Sequence, residues 1–169
     1  VLRPVHPAVY DDLNVLFNVP LPAPAFFMHE RPRSDAQAAT VFAARRRIED
    51  ILHGRSDRFL VIVGPCSIHD PAQGIAYAEK LMALRDELHG QLEIVMRVYF
   101  EKPRTSVGWK GLIMDPDLDG TANLAEGLRI ARNLLLEIVG LGMPTATEFL
   151  DPITPQYIAD LICWAAIGA

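Results

Sequence analysis

The sequence predicts an α/β protein built on a parallel sheet, and three observations carry that prediction. Short apolar runs alternate along the chain with longer segments of helical character. The clearest run, Phe59-Leu60-Val61-Ile62-Val63, is apolar at every position, the pattern of a strand buried on both faces. Two of the helical segments open on a proline at their first position, Asp70-Pro71 and Thr154-Pro155, where the missing amide hydrogen costs nothing.

In chain order, the first 36 residues carry six of the 13 prolines, including Pro20-Leu21-Pro22-Ala23-Pro24. That spacing forbids a continuous helix and favours an extended arm with turns. Val15, Leu16, Phe17, Phe26 and Phe27 give the arm reason to pack on something. Asp35 is read as the cap of a helix reaching about His53, with Val41, Ile48, Ile51 and Leu52 on its apolar side and Gly54 ending it. After the first strand and its proline-initiated helix, residues 92–98 read as a second strand. A long loop of mixed polarity spans Glu101 to Thr121. Asn123 with Glu126 resembles a capping box for a helix carrying Leu124, Leu128, Ala131, Leu135 and Ile138 and stopping near Gly142. Residues 144–150 are a third strand, and residues 165–169 the beginning of a fourth. Periodicity alone does not choose between a doubly wound sheet and a (β/α)8 barrel. No G-x-G-x-x-G or G-x-x-x-x-G-K-[ST] follows a strand, which counts against nucleotide binding.

The chain has 169 residues, half of them hydrophobic and 22% charged, with a net charge of −5. That balance is globular and gives neither nucleic acid nor anionic membrane a reason to bind. No apolar run reaches spanning length, and Cys66 and Cys163 are too few for a disulfide framework. A reducing cytoplasm is the expected setting.

Against that acidic background, residues 97–111 (Arg97-Val98-Tyr99-Phe100-Glu101-Lys102-Pro103-Arg104-Thr105-Ser106-Val107-Gly108-Trp109-Lys110-Gly111) hold four cationic side chains and one acid. Arg97 sits inside a strand pattern, where a charge needs a partner. Lys102, Arg104 and Thr105 follow at the strand's C-terminal end, where α/β proteins of both architectures bind ligands. The arginine fork, the lysine point charge and the threonine hydroxyl suit carboxylate or phosphate. The plainer reading is a surface loop whose cations pair with local acids. Cys66, in Gly64-Pro65-Cys66-Ser67-Ile68-His69-Asp70, is by position a buried small side chain, a metal ligand or a nucleophile. His69 suggests a metal pair, but a local role at the start of a helix serves equally. Glu148 lies at a depth in the third strand where acids need partners. Cys163 and Trp164 read as core packing.

The blocks Gly64 to Pro71, Met96 to Gly111, and Glu148-Phe149-Leu150-Asp151 with Thr154-Pro155-Gln156-Tyr157 resemble the signatures of the microbial class I 3-deoxy-D-arabino-heptulosonate 7-phosphate (DAHP) synthases. The resemblance covers residues 36–169 firmly and the arm more loosely. It implies the first half of a (β/α)8 barrel, with residues 1–36 an oligomerisation and regulatory arm and 37–169 a partial barrel lacking its second half. It implies a metal-dependent, aldol-type condensation of phosphoenolpyruvate with erythrose 4-phosphate, the first step of the shikimate pathway, with this chain inactive by itself. Position by position, Cys66 matches the metal-ligand cysteine for a divalent ion (Mn, Fe, Co or Zn). Arg97 and Lys102 match residues that hold phosphoenolpyruvate. Pro103, Arg104 and Thr105 match the K-P-R-[ST] segment for erythrose 4-phosphate, and Glu148 an acid bordering the site. An aromatic amino acid effector is implied at Asp11 and Asp12 of a neighbouring subunit and at a wall formed by Asp151, Pro155 and Gln156, with Pro152 a departure that alters its shape. A homo-oligomer, dimer or tetramer, follows from that sharing. Two other readings stay open: a non-catalytic anion-binding half-barrel or an assembly module. A redox domain using Cys66 is disfavoured, since no second cysteine is near it in sequence.

Overall fold

The computed structural model describes Val15, residues 18–103 and residues 107–168. Its elements run in the order α1 (Pro24–Glu30), α2 (Asp35–Leu52), β1 (Phe59–Val63), α3 (Pro71–Leu88), β2 (Leu92–Arg97), α4 (Leu124–Gly140), β3 (Thr145–Phe149), α5 (Pro155–Ile158) and β4 (Trp164–Ile167), with a 3-10 turn over Ala159–Leu161. The four strands are parallel and lie in the order β1-β2-β3-β4. A doubly wound sheet reverses its order at a switch point, whereas each strand here pairs with its successor in sequence. With right-handed crossovers, that order keeps the connecting helices on one side and curves the sheet toward barrel closure. The fold is half of a (β/α)8 barrel.

Strand register sorts the side chains into two faces. Ile94, Met96 and Val98 join Leu128, Ala131, Leu134, Leu135 and Ile138 in the main core, beneath α3 and α4. The opposite face carries Leu60 and Ile62 of β1, Glu93, Val95 and Arg97 of β2, and Ala146 and Glu148 of β3. At the N-terminal ends of the strands this second face is covered by α2, whose Val41, Ala44 and Ile48 pack with Val95, Ala146 and Cys163. Polar ties hold α2 there. The Arg45 guanidinium donates to the Ile162 and Ala159 carbonyls, and Arg47 and Arg58 enclose the Glu93 carboxylate, which is 3% exposed. Pairing is what makes a carboxylate at that depth tolerable.

Several details depart from the sequence reading. The arm holds a helix, α1, because Pro24 closes the proline run and occupies the first helical turn, leaving seven residues before the chain reaches Pro32. Ser34, not Asp35, caps α2, in a reciprocal capping box with Gln37. Asn123 makes no side-chain cap bond, so no capping box forms there. Leu52 is 55% exposed and not part of the apolar side of α2. β1 is not buried on both faces: Phe59 is 74% exposed, and among the described residues β1 pairs only with β2. Trp164 opens β4 and is partly exposed, while Cys163 does pack in the core. Among the described residues, no helix is long and apolar enough to cross a membrane.

Candidate active site at the C-terminal strand ends

The C-terminal ends of β1, β2 and β3 bring together residues far apart in sequence. Beyond β1 the chain turns through Gly64-Pro65-Cys66. A Cβ on Gly64 would stand 2.5 Å from the Arg97 carbonyl oxygen, so only glycine lets the two strand ends approach so closely. Ile68 N–H donates to the Tyr99 carbonyl (2.9 Å) and the Ser67 hydroxyl lies 3.4 Å from the same oxygen, tying this turn to the extension of β2.

Arg97 and Lys102 both reach the Cys66 carbonyl. Arg97 Nη2 donates to it at 3.2 Å and Lys102 Nζ at 3.0 Å, and Lys102 Nζ also lies 3.0 Å from Cys66 Sγ. Among the described residues, neither cation forms an ion pair with a carboxylate. Arg97 Nε is buried without a hydrogen-bond partner there, and the guanidinium carbon lies 3.7 Å from the centroid of the Tyr99 ring. Buried donors are normally satisfied, so this one is available to an acceptor. Cys66 itself is exposed, which sets aside its reading as a buried small side chain. Arg104 and Thr105 lie outside the described residues; Pro103 is described and exposed.

The segment carrying Lys102 is held from below. Lys102 N–H donates to the Lys110 carbonyl, and Gly111, at φ +105°, packs against the backbone of Phe100 and Glu101 where any Cβ would collide. Trp109 Nε1 donates to the Asp115 carbonyl at 2.7 Å, and Leu112 and Ile113 are fully buried. The loop read as mixed in polarity is therefore anchored in the core.

Across the sheet, Glu148 shares the face of Arg97 and is half-buried. Glu101, 9% exposed, was not singled out by the sequence. Burial, then the charge of and hydrogen bond to Asp151, then the charge of Glu148, push its carboxyl up to about 7. Burial alone would raise Asp151 as well. Hydrogen bonds from the Thr154 side chain and amide, the Ile153 amide and Glu101 outweigh it and hold Asp151 below the usual range.

A cavity of about 440 Å³ beside these strand ends is lined by Phe149, Leu150, Asp151, Pro152, Pro155, Ile167 and Gly168. It brings Asp151 and Pro155 together, while Gln156 is exposed and its amide turns back to the Pro152 carbonyl at 3.4 Å. Asp11 and Asp12 lie outside the described residues.

Cations without carboxylate partners among the described residues thus stand at the C-terminal strand ends of a parallel half-barrel, the face where (β/α)8 barrels place their ligand sites. The profile of the DAHP synthetase I family matches residues 33–169, and the chain belongs to that family. It is 56% identical over 159 residues to the Phe-sensitive phospho-2-dehydro-3-deoxyheptonate aldolase of Escherichia coli (strain K12), covering 94% of this chain and 45% of that protein. The aldolase of Amycolatopsis methanolica is 54% identical over 163 residues, at 94% and 78% coverage. The Trp-sensitive enzyme of Enterobacter agglomerans is 56% identical, at 94% and 46%. Among solved structures, phospho-2-dehydro-3-deoxyheptonate aldolase from Francisella tularensis SCHU S4 matches with a TM-score of 0.87 and 52% identity, over 90% of this chain and 45% of that one. The chain spans about half the length of the Escherichia coli and Enterobacter agglomerans relatives and of the solved structure.

Proposed function

We propose that this chain supplies the phosphoenolpyruvate-binding half of a DAHP synthase active site. The observation that carries the reading is the convergence of Arg97 and Lys102, without carboxylate partners among the described residues, on the Cys66 carbonyl at the strand ends. Guanidinium and ammonium together suit a substrate with a carboxylate and a phosphate on one small carbon frame. Arg104 and Thr105, with Pro103, are proposed to take the phosphate of erythrose 4-phosphate, and Glu148 to border the reacting carbons.

In the reaction, C3 of phosphoenolpyruvate attacks the aldehyde carbon of erythrose 4-phosphate, water adds at C2, and inorganic phosphate departs from C2. Arg97 and Lys102 neutralise one of the two anions that must meet, and by fixing its orientation they turn an encounter into a held geometry. Cys66 offers one soft donor suited to a divalent ion such as Mn, Fe, Co or Zn. No group of three or more candidate ligands occurs among the described residues, so Cys66 would be one contributor to a wider ligand set. When bound, such an ion supplies Lewis-acid polarisation of the aldehyde. Asp151, Pro155 and Gln156, with Asp11 and Asp12 of a neighbouring copy, are proposed to form the effector site for an aromatic amino acid in a cytoplasmic homo-oligomer. Residues 1–36 would serve as the arm that builds it.

The test is DAHP formation from the two substrates with added Mn, by the protein as its cell makes it and by the 169-residue chain alone. Turnover by the first and none by the second is expected. Turnover by neither, with folded protein and metal present, would overturn the reading in favour of an anion-binding module.

A further inference from the structure

We propose that Tyr99 is a positioning residue for Arg97, acting through the face of its ring to fix the plane in which the guanidinium meets its anion. The inference rests on the reading of Arg97 as a phosphoenolpyruvate ligand. Arg97 and Tyr99 are two residues apart along an extended stretch, so their side chains emerge on the same face. The guanidinium carbon sits 3.7 Å from the ring centroid, a stacking distance, while Nη2 is drawn to the Cys66 carbonyl at 3.2 Å. One face of the cation is thereby covered, and the ring takes up none of its donors, which lie in the plane of the group. Nε is among them, enclosed and without a partner among the described residues.

An arginine side chain has four rotatable bonds to settle, and no carboxylate settles them for Arg97 among the described residues. The ring does so without consuming a donor, because cation–π attraction is to the quadrupole of the face. A carboxylate in the same place would hold the arginine equally well but would compete with the substrate. Tyr99 is itself held: its carbonyl accepts from Ile68 N–H at 2.9 Å, with the Ser67 hydroxyl 3.4 Å away. The ring that orients Arg97 and the turn that supplies the Cys66 carbonyl therefore move together.

The experiment replaces residue 99 in the protein as its cell makes it. Tyr99→Phe comes first, followed by phenylalanines of increasing fluorination at the same position, which keep the ring's shape while draining its face of negative charge. KM for phosphoenolpyruvate should hold in Tyr99→Phe and climb with fluorination to about five- to thirty-fold in the pentafluoro form. Turnover at saturation and KM for erythrose 4-phosphate should stay where they were. A flat series alongside a raised phosphoenolpyruvate KM in Arg97→Ala would overturn the role of Tyr99 and leave Arg97 in place. An Arg97→Ala protein with unchanged phosphoenolpyruvate KM would remove both.

Discussion

The Glu101 carboxyl, pushed up to about 7, gives up its proton near neutral pH in a place where losing it has consequences. Its neighbours Asp151 and Glu148 are acids, and Asp151 is kept ionised by the Thr154 and Ile153 donors. Because the folded value of about 7 lies above the ordinary 4.5, the native state binds this proton more tightly than the unfolded chain does. The resulting stabilisation is complete below about pH 4.5 and is lost as pH rises through about 7. Glu101→Gln keeps a neutral donor, so the difference in thermal stability between wild type and variant should widen from pH 5 to pH 8 in the variant's favour. A difference constant over that range would show that Glu101 does not titrate there. At Cys66, Cys66→Ser is expected to weaken metal binding and remove most activity of the whole protein, read by metal content after dialysis and by turnover. Unchanged values of both would make the thiol dispensable. The sequence disclosed the cations because charges in an apolar strand are conspicuous. It did not disclose Glu101, whose meaning depends on Asp151 fifty residues away, nor Tyr99, which reads as one more aromatic in a strand until its ring is found on Arg97.

At the scale of elements, one polar side chain joins the apolar packing in holding α4 against the segment after β3. Arg132 is 1% exposed and donates to both Asp160 oxygens at 2.8 and 3.1 Å, to the Tyr157 carbonyl and to the Arg31 carbonyl. Arg132→Met would leave a carboxylate and two carbonyls wanting donors at once. The expected loss is about 3–5 kcal/mol in urea unfolding, and a loss below about 1 kcal/mol would mean that water replaces the arginine freely. Helix and strand positions were legible because their signals are local: Pro71 and Pro155 open their helices, and Gly54 and Gly142 take positive φ beyond theirs. The weak point was capping. Asp35 satisfies the composition rule for a cap, but the Ser34–Gln37 pair satisfies two amides at once and wins by a residue.

For the molecule as a whole, the arm and the half-barrel are one folded body as far as they are described. Phe27 of α1 is 1% exposed, meets Tyr157 edge-to-face at 5.2 Å, and has Arg129 over its ring at 5.3 Å, while the Tyr157 hydroxyl donates to the Pro22 carbonyl at 2.8 Å. Phe27→Ala should therefore cost about 3–5 kcal/mol, measured by thermal or urea unfolding. An arm that merely lay on the surface would lose far less. The sheet ends in β1 and β4, each paired on one side only among the described residues, with Phe59 74% and Ile167 90% exposed. The 169-residue chain alone is expected to self-associate, with a sedimentation coefficient that rises with concentration over the micromolar range. A concentration-independent monomer would show that these edges are tolerated in water. The barrel reading needed the strand order, which no periodicity encodes and only signature blocks suggested.

The seat of α2 has a bearing on how the chain acquires its shape in time. This helix is made before any strand, yet its partners Leu136 and Ile162 follow Gln37 and Arg45 by 99 and 117 residues. Each β-α step can fold as it emerges, its contacts being local, but the floor beneath them closes only once Leu136 and Ile162 have been made. Such long-range closures slow folding and leave apolar surface open meanwhile. The capping box of α2 favours the helix during that wait, and weakening it through Ser34→Ala should slow refolding more than it speeds unfolding.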